Sequence, residues 1–238
     1  MAIGALAFAP VAIADWRMSA KAVPYMTASA SLELIYLGLL ATAYGLAALS
    51  FVYPIARGSA PVLVLLVSVA FLGVSVSWLA ALGVLFVAAG IVLVRGLRER
   101  PPGRDLGLAL GVGACIAAYT LVDKYGIRHA SPIAYLELVF TAMAVVYVGV
   151  VFARRGRVVL RRALKPTTAL TGIGFFGSYA LTLLALARAP AASVAAVRET
   201  SVLIATAVAA WTLEEPVGLE RLAGAALVVG GIAAIALG

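Results

Sequence analysis

Residues Pro132 to Phe152 read PIAYLELVFTAMAVVYVGVVF, an apolar run with one charge, Glu137, and the basic string ARRGRVVLRRALK follows it from Ala153. A helix rises 1.5 Å per residue, so about 20 such residues cross the roughly 30 Å hydrocarbon core of a bilayer. The stretch predicts a membrane-crossing helix stopped by arginines. Working outward, runs bounded by charge, Pro or Gly recur near 1–14, 31–54, 59–74, 78–95, 106–123, 167–187, 191–212 and 219–238. The whole chain is 64% hydrophobic and 12% charged, with mean hydropathy +1.11. Soluble domains carry charge on about a quarter of their residues. The expected fold is therefore all-α and integral to the membrane, with about nine spans, short connections and no room for a soluble domain.

The net charge of +8 invites a nucleic-acid reading. The basic residues, however, sit in short clusters between apolar runs and are not interleaved with aromatics on a polar face, so they read as topology signals. Arg57, Arg95, Arg98, Arg100, Arg104, Arg154, Arg155, Arg157, Arg161, Arg162, Lys165 and Arg221 fall on one face by this reading. Arg17, Lys21, Lys124, Arg128 and Arg188 fall on the other. Charge alone then places Met1 in the cytosol and Gly238 outside. The first run, MAIGALAFAPVAIA, would reach only about 21 Å as a helix. It lacks the basic leader of a signal peptide, so the expectation is a span that is short at its start.

Internal symmetry is the most informative feature of the chain. Sliding the sequence on itself by roughly 135 to 141 residues pairs Tyr44 with Tyr179, Pro61-Val62-Leu63 with Ser201-Val202-Leu203, Gly83 with Gly224 and Gly90 with Gly231. The second half holds five runs; the first holds three full ones and the short one, as if about 30 residues were absent before Met1. An odd number of spans per repeat inverts the second copy, the arrangement of many secondary transporters. The expected organisation is a first repeat over 1–97, incomplete at its N-terminus, a basic linker over 98–105 and a second repeat over 106–238.

The side-chain inventory excludes much chemistry. There is one cysteine, Cys115, one histidine, His129, and no Asn or Gln. No intramolecular disulfide, no multi-cysteine metal site and no hydrolase triad has the material it needs, and no cofactor or metal is expected. The string GIGFFG, Gly172 to Gly177, matches a dinucleotide fingerprint letter by letter. It lies in an apolar helix without a βαβ unit, so helix packing is its role. Gly107 with Gly111, and Gly224 with Gly230 and Gly231, read as close helix contacts.

Ionisable residues inside spans are more telling, because each costs about 2.5 to 3.5 kcal/mol at mid-bilayer and usually faces a cavity or a partner. Glu33, Asp123, Glu137, Arg198 and Glu199 qualify. Arg198 and Glu199 are consecutive, so they point about 100° apart on a helix and cannot both face one neighbour. Their alternative is a place at the membrane boundary, snorkelling to water. Asp123 shares a helix face with Tyr119 four residues before it, with Lys124 and Arg128 close behind at the membrane edge; Tyr119 is the deeper cavity residue. Glu137 suits either a proton or cationic solute, or a structural pairing with a basic neighbour.

The strings YPIARG from Tyr53, YTLVDKYGIR from Tyr119 and VRETSVL from Val197, with LEE near Glu214 and the glycine-spaced finish from Gly224, resemble EamA-type members of the drug/metabolite transporter superfamily. The resemblance covers essentially the whole chain. It implies ten spans in two inverted five-helix repeats around a central cavity, and carriage of small metabolites without nucleotide hydrolysis. Two departures are the missing first span and Val74, which stands where Glu214 stands in the second half. The resemblance also implies a cytoplasmic C-terminus, against the loop charges, and orientation stays open.

On this reading the chain is a permease or exporter in the cell (inner or plasma) membrane and not an enzyme. Its expected partners are the lipid bilayer, a small-molecule solute such as an amino acid or related amphiphile, and a proton or other coupling ion. Two repeats rock around a site near the midplane, and Tyr44, Tyr119, Glu137, Tyr179, Arg198 and Glu199 are the candidate solute-binding residues. Arg198 would draw a carboxylate or phosphate, Glu137 an amine or proton, and the tyrosines would stack and hydrogen-bond. The competing readings are a non-transporting fragment or assembly subunit, and an intramembrane lipid-modifying enzyme, for which the clustered His, Asp or Asn are missing.

Overall fold

The computed structural model describes residues 1–46, 49–95, 103–201, 204 and 219–237. Among them the chain forms nine α-helices: α1 (Ala2–Ala14), α2 (Val23–Leu46), α3 (Leu49–Ala70), α4 (Trp78–Arg95), α5 (Gly103–Gly126), α6 (Pro132–Ala163), α7 (Pro166–Leu186), α8 (Ala191–Arg198) and α9 (Leu219–Leu237). A single 3-10 turn, Ala20–Ala22, leads into α2, with Ser19 Oγ accepting from the Lys21 N–H at its start. Among the described residues four helical stretches are long and apolar enough to cross a membrane: Ala20–Leu46, Gly103–Gly126, Pro132–Val158 and Pro166–Leu186. Shorter apolar stretches lie in α1, α3, α4 and α9.

The helix ends follow local chemistry. Pro166 opens α7, where its missing N–H costs nothing and its fixed φ suits the first turn. Gly156, at φ 72°, breaks the helical geometry of α6 among the arginines that end its apolar run. The spans expected over 31–54 and 59–74 are displaced: α2 ends at Leu46 and α3 runs from Leu49 straight through Pro54, Arg57 and Gly58. A proline near a helix start loses few hydrogen bonds, and membrane helices tolerate it. Arg57 is therefore a residue within a helix, not a loop charge. The run 191–212 is described as α8 and its immediate continuation, and Glu214 lies outside the described residues.

Contacts divide the chain into two compact units, and neither follows the sequence halves: unit 1 is Met1–Leu34 with Leu121–Arg188, and unit 2 is Ile35–Thr120 with Ala189–Gly238. In unit 1, α1 packs on α6 and α7. Gly4 meets the backbone of Gly172 so closely that a Cβ there would collide with the Gly172 carbonyl; of the GIGFFG glycines Gly172 makes this close approach, whereas Gly174 has open space at its Cβ position and Gly177 only the Phe8 ring at 3.7 Å. Around that crossing the rings of Phe8 and Phe176 stack at 4.6 Å, and Phe140 lies 5.5 Å from Phe175, Phe176 and Tyr179. On α6 the inward stripe Tyr135, Leu136, Val139, Phe140 and Met143 is buried, while Val145, Val146, Val150 and Phe152 are exposed. An exposed apolar flank of this kind suits lipid rather than water.

In unit 2, α4 packs along α9 through glycines spaced seven apart. A Cβ on Gly83 would stand 2.5 Å from the Gly231 carbonyl oxygen, and one on Gly90 would stand 2.6 Å from that of Gly224. Small residues let two backbones touch where lipid offers no hydrophobic drive for association. By contrast Gly107 has open space at its Cβ position and Gly111 has only Leu39 at 3.8 Å, so the GxxxG of α5 is not a helix seam among the described residues.

Candidate functional site

Arg57 is set into unit 2 by small neighbours on both sides. Gly58 lies against α4, where a Cβ would be 3.2 Å from the Ala88 carbonyl oxygen, and Ala56 and Ser59 face Gly113 of α5. With those contacts fixed, the guanidinium is left pointing at the end of α8. Its Nη1 stands 3.4 Å from Oε1 of Glu199, the residue that closes α8. The arginine side chain is 19% exposed and the glutamate 2%. One turn before it, Tyr53 supports the same group: Arg57 Nε donates to the Tyr53 hydroxyl oxygen at 3.4 Å, and the guanidinium carbon lies 5.5 Å from the ring centre.

Further tyrosines belong to this neighbourhood. Arg57 interacts electrostatically with Tyr119 as well as with Glu199 and Tyr53, and Tyr44 interacts with Tyr36, Tyr53 and Arg57. Tyr36 and Tyr119 meet edge to face at 6.0 Å. Glu199 also feels the charge of Arg198, and its Oε2 is buried without a hydrogen-bond partner. A buried carboxylate oxygen with an open lone pair, beside two arginines and a set of phenols, can accept one more donor from a ligand.

Unit 1 holds a carboxylate handled differently. Asp123, 1% exposed, accepts from the Tyr135 hydroxyl at 2.9 Å through Oδ1 and from the Tyr179 hydroxyl at 2.6 Å through Oδ2. Gly126 makes this possible, since any side chain there would run into the Tyr135 ring. Glu33 and Ser29 of α2 lie in the electrostatic surroundings of Tyr135. Elsewhere in the unit Glu137 lines an apolar cavity of about 300 Å³, formed by Ala2, Ala5 and Leu6 of α1 and by Thr141, Ala144, Val145 and Val148 of α6. Among the described residues no basic side chain lines that cavity, and Glu137 Oε2 has no hydrogen-bond partner there.

Of the six residues expected from sequence, Tyr44, Tyr119, Arg198 and Glu199 therefore fall in unit 2, and Glu137 and Tyr179 in unit 1. Tyr44 is 42% exposed, Tyr119 and Tyr179 are buried, and Arg198 is half-buried. Tyr119 and Asp123, four residues apart on one helix, belong to different units. Sequence reasoning missed Arg57, filed as a loop charge, and also Tyr36, Tyr53 and Tyr135. The one available signal was the YPIAR spacing, which puts Tyr53 and Arg57 one helical turn apart.

The sequence profile described as the EamA-like transporter family matches residues 105–237, more than half of the chain. The chain belongs to the EamA-like transporter family. That agrees with the resemblance to the drug/metabolite transporter superfamily, and it makes this EamA-like chain a multi-pass membrane protein of a transporter family whose work implies a bilayer and a small-molecule solute. The matched segment of the EamA-like chain contains Tyr119, Glu137, Tyr179, Arg198 and Glu199, while Tyr44 and Arg57 precede it. A solved structure titled "Crystal structure of protein" is similar in fold, with TM-score 0.78 and 15% identity over 99% of this chain and 85% of that one. No curated protein matches the sequence.

Proposed function

We propose that this EamA-like chain is a secondary transporter of the cell (inner or plasma) membrane. It moves a small amphiphilic metabolite of the amino-acid kind by alternating access, without nucleotide hydrolysis, and its solute site is centred on Arg57 and Glu199. The observation that carries this is the buried pair itself, with one carboxylate oxygen open and tyrosines around it. Removing one member of a buried ion pair is costly, whereas replacing each partner by an equivalent charge is not. An amino acid brings both charges: its carboxylate takes the arginines Arg57 and Arg198, and its ammonium takes Glu199. Tyr44 and Tyr119 hydrogen-bond or stack on the body of the solute, while in unit 1 Glu137 carries a proton or an amine and Tyr179 holds Asp123.

The two-repeat organisation, 1–97 and 106–238 joined by 98–105, is supported by the contacts of α4 with α9. A register of 141 residues takes Gly83 to Gly224, Val87 to Val228, Gly90 to Gly231 and Arg57 to Arg198. Under that exchange the Gly83–Gly231 contact becomes Gly90–Gly224, and the contact of Val87 with Gly231 becomes that of Val228 with Gly90; all four contacts are present. A pairing that maps onto itself in this way is what a two-fold axis between repeats produces. Glu199 breaks the symmetry, because its register partner is Gly58. One carboxylate between two equivalent arginines gives the site a direction for a zwitterion.

The test is counterflow of mixed labelled amino acids in proteoliposomes containing the wild type or Glu199→Gln. The expected result is saturable uptake by the wild type and a loss of at least about tenfold in the variant, the equivalent of one charged contact. Uptake that the variant matches, or no uptake by the wild type across the panel, would sink the reading.

A further inference from the structure

A second cavity lies at one end of the unit 1 helices, and none of its lining residues is assigned to transport. Its volume is about 450 Å³, and its walls are the segment Arg17–Ser19, the segment Ile127–Pro132 and Ala187 after α7. The two segments are tied to each other. Ser19 N–H donates to the His129 carbonyl at 2.8 Å, Ser131 N–H donates to the Arg17 carbonyl at 2.7 Å, and Met18 and Ala130 form an antiparallel bridge between them. A hydrogen bond from Ser131 Oγ to the Asp15 carbonyl adds a third hydrogen bond. A paired platform of this kind fixes the side chains it carries better than a free loop does.

Those side chains include Arg17, Arg128 and His129, and among the described residues no acidic side chain lines the cavity. The Arg128 guanidinium lies 4.5 Å from the centre of the Tyr125 ring, and His129 stacks on Tyr25 at 5.8 Å. Arg17 is held 3.1 Å from Asp15, an exposed pair of small energetic weight that leaves most of its donors available. Lys21 and Arg188, both exposed, border the same end and add to its positive potential. Trp16, half exposed, and the rings of Tyr25 and Tyr125 are at this level too. Aromatic residues at span ends mark the depth of the lipid headgroups.

We propose that this cavity binds a phosphoryl group, and that the group is the headgroup phosphate of an anionic phospholipid. Guanidinium forks match phosphate oxygens, basic pockets beside membrane helices favour acidic headgroups, and the aromatic level places the cavity where lipid phosphates are. The inference stands apart from the transport assignment, because none of its residues belongs to the Arg57–Glu199 site.

The test uses the whole chain, delipidated in neutral detergent, with bound lipid counted by native mass spectrometry. Phosphatidylglycerol is expected to bind at least tenfold more tightly than phosphatidylcholine. Loss of either wall arginine should weaken it about fivefold, so R17A/R128A should weaken it about 25-fold. R154A/R155A removes the same charge from the other end of α6 and should leave binding unchanged. If R128A does not fold, R17A alone carries the comparison, at about fivefold. Displacement of phosphatidylglycerol by millimolar inorganic phosphate keeps the phosphoryl site and assigns it to a soluble anion. Equal binding of the two lipids, or equal weakening by both double variants, overturns the proposal.

Discussion

Asp123 of unit 1 and Glu199 of unit 2 are both buried carboxylates, and they are neutralised in opposite ways. In unit 2, Glu199 is met by the full charge of Arg57 at 3.4 Å and keeps one oxygen open. In unit 1, Asp123 is met by two phenol hydroxyls, one on each oxygen, at 2.9 and 2.6 Å. A charge facing a charge at a loose distance is an arrangement a ligand can enter, because ligand charges substitute for either partner. A carboxylate with both oxygens held by buried tyrosines has its directions filled, and it fixes α5 to α6 and α7. The difference separates a place built for exchange from a place built for position.

The largest expected effect comes from breaking the first arrangement without a substitute. Glu199→Leu strands Arg57 in a low-dielectric surround, and stability should fall by about 3 to 5 kcal/mol, read by denaturant titration in bicelles. Adding Arg57→Met should recover most of that loss, because no charge is then left buried, while uptake stays absent. A double variant that still transports would show that the pair is structural and would erase the contrast between the units.

Asp123→Ala comes next. Two buried hydroxyls lose their acceptor, each at about 1 to 2 kcal/mol, so the same titration should report a loss of roughly 2 to 4 kcal/mol. No companion change comparable to Arg57→Met exists, since Tyr135 and Tyr179 would both have to become Phe before the balance returned.

Much of the fold was legible because lipid imposes a length. The run 78–95 and the helix Trp78–Arg95 coincide, and the runs 106–123 and 167–187 are recovered within three residues at each end. The failure at 54–59 has a physical cause. Pro, Arg and Gly together are the usual marks of a loop, and what lets them stand inside α3 is a partner 142 residues away in sequence. Arg57 hid for the same reason, whereas Glu199 was legible because a carboxylate early in an apolar run has few bland explanations. Asp123 was legible as an ionisable residue inside a span, but Tyr119 was preferred as the deeper one; its two partners, Tyr135 and Tyr179, arrive from two other helices, and no local pattern announces them.

Tyr179 is the residue on which the contrast can be sharpened, because it was expected in the solute site and is found holding Asp123. Tyr179→Phe removes one of the two donors and keeps the ring packed against Phe140. A hydrogen bond to a charged group contributes about 1.5 to 3 kcal/mol, and Tyr135 still holds the other oxygen, so the expected stability loss is at the low end, about 1.5 kcal/mol. If the tyrosine only positions α7, the concentration dependence of uptake keeps its KM and loses at most the fraction of protein that unfolds. If its hydroxyl leaves Asp123 for the solute during transport, KM rises while stability falls by the same small amount. The two quantities moving together would join the Asp123 cluster to the transport site, and stability moving alone would leave exchange to unit 2 and position to unit 1.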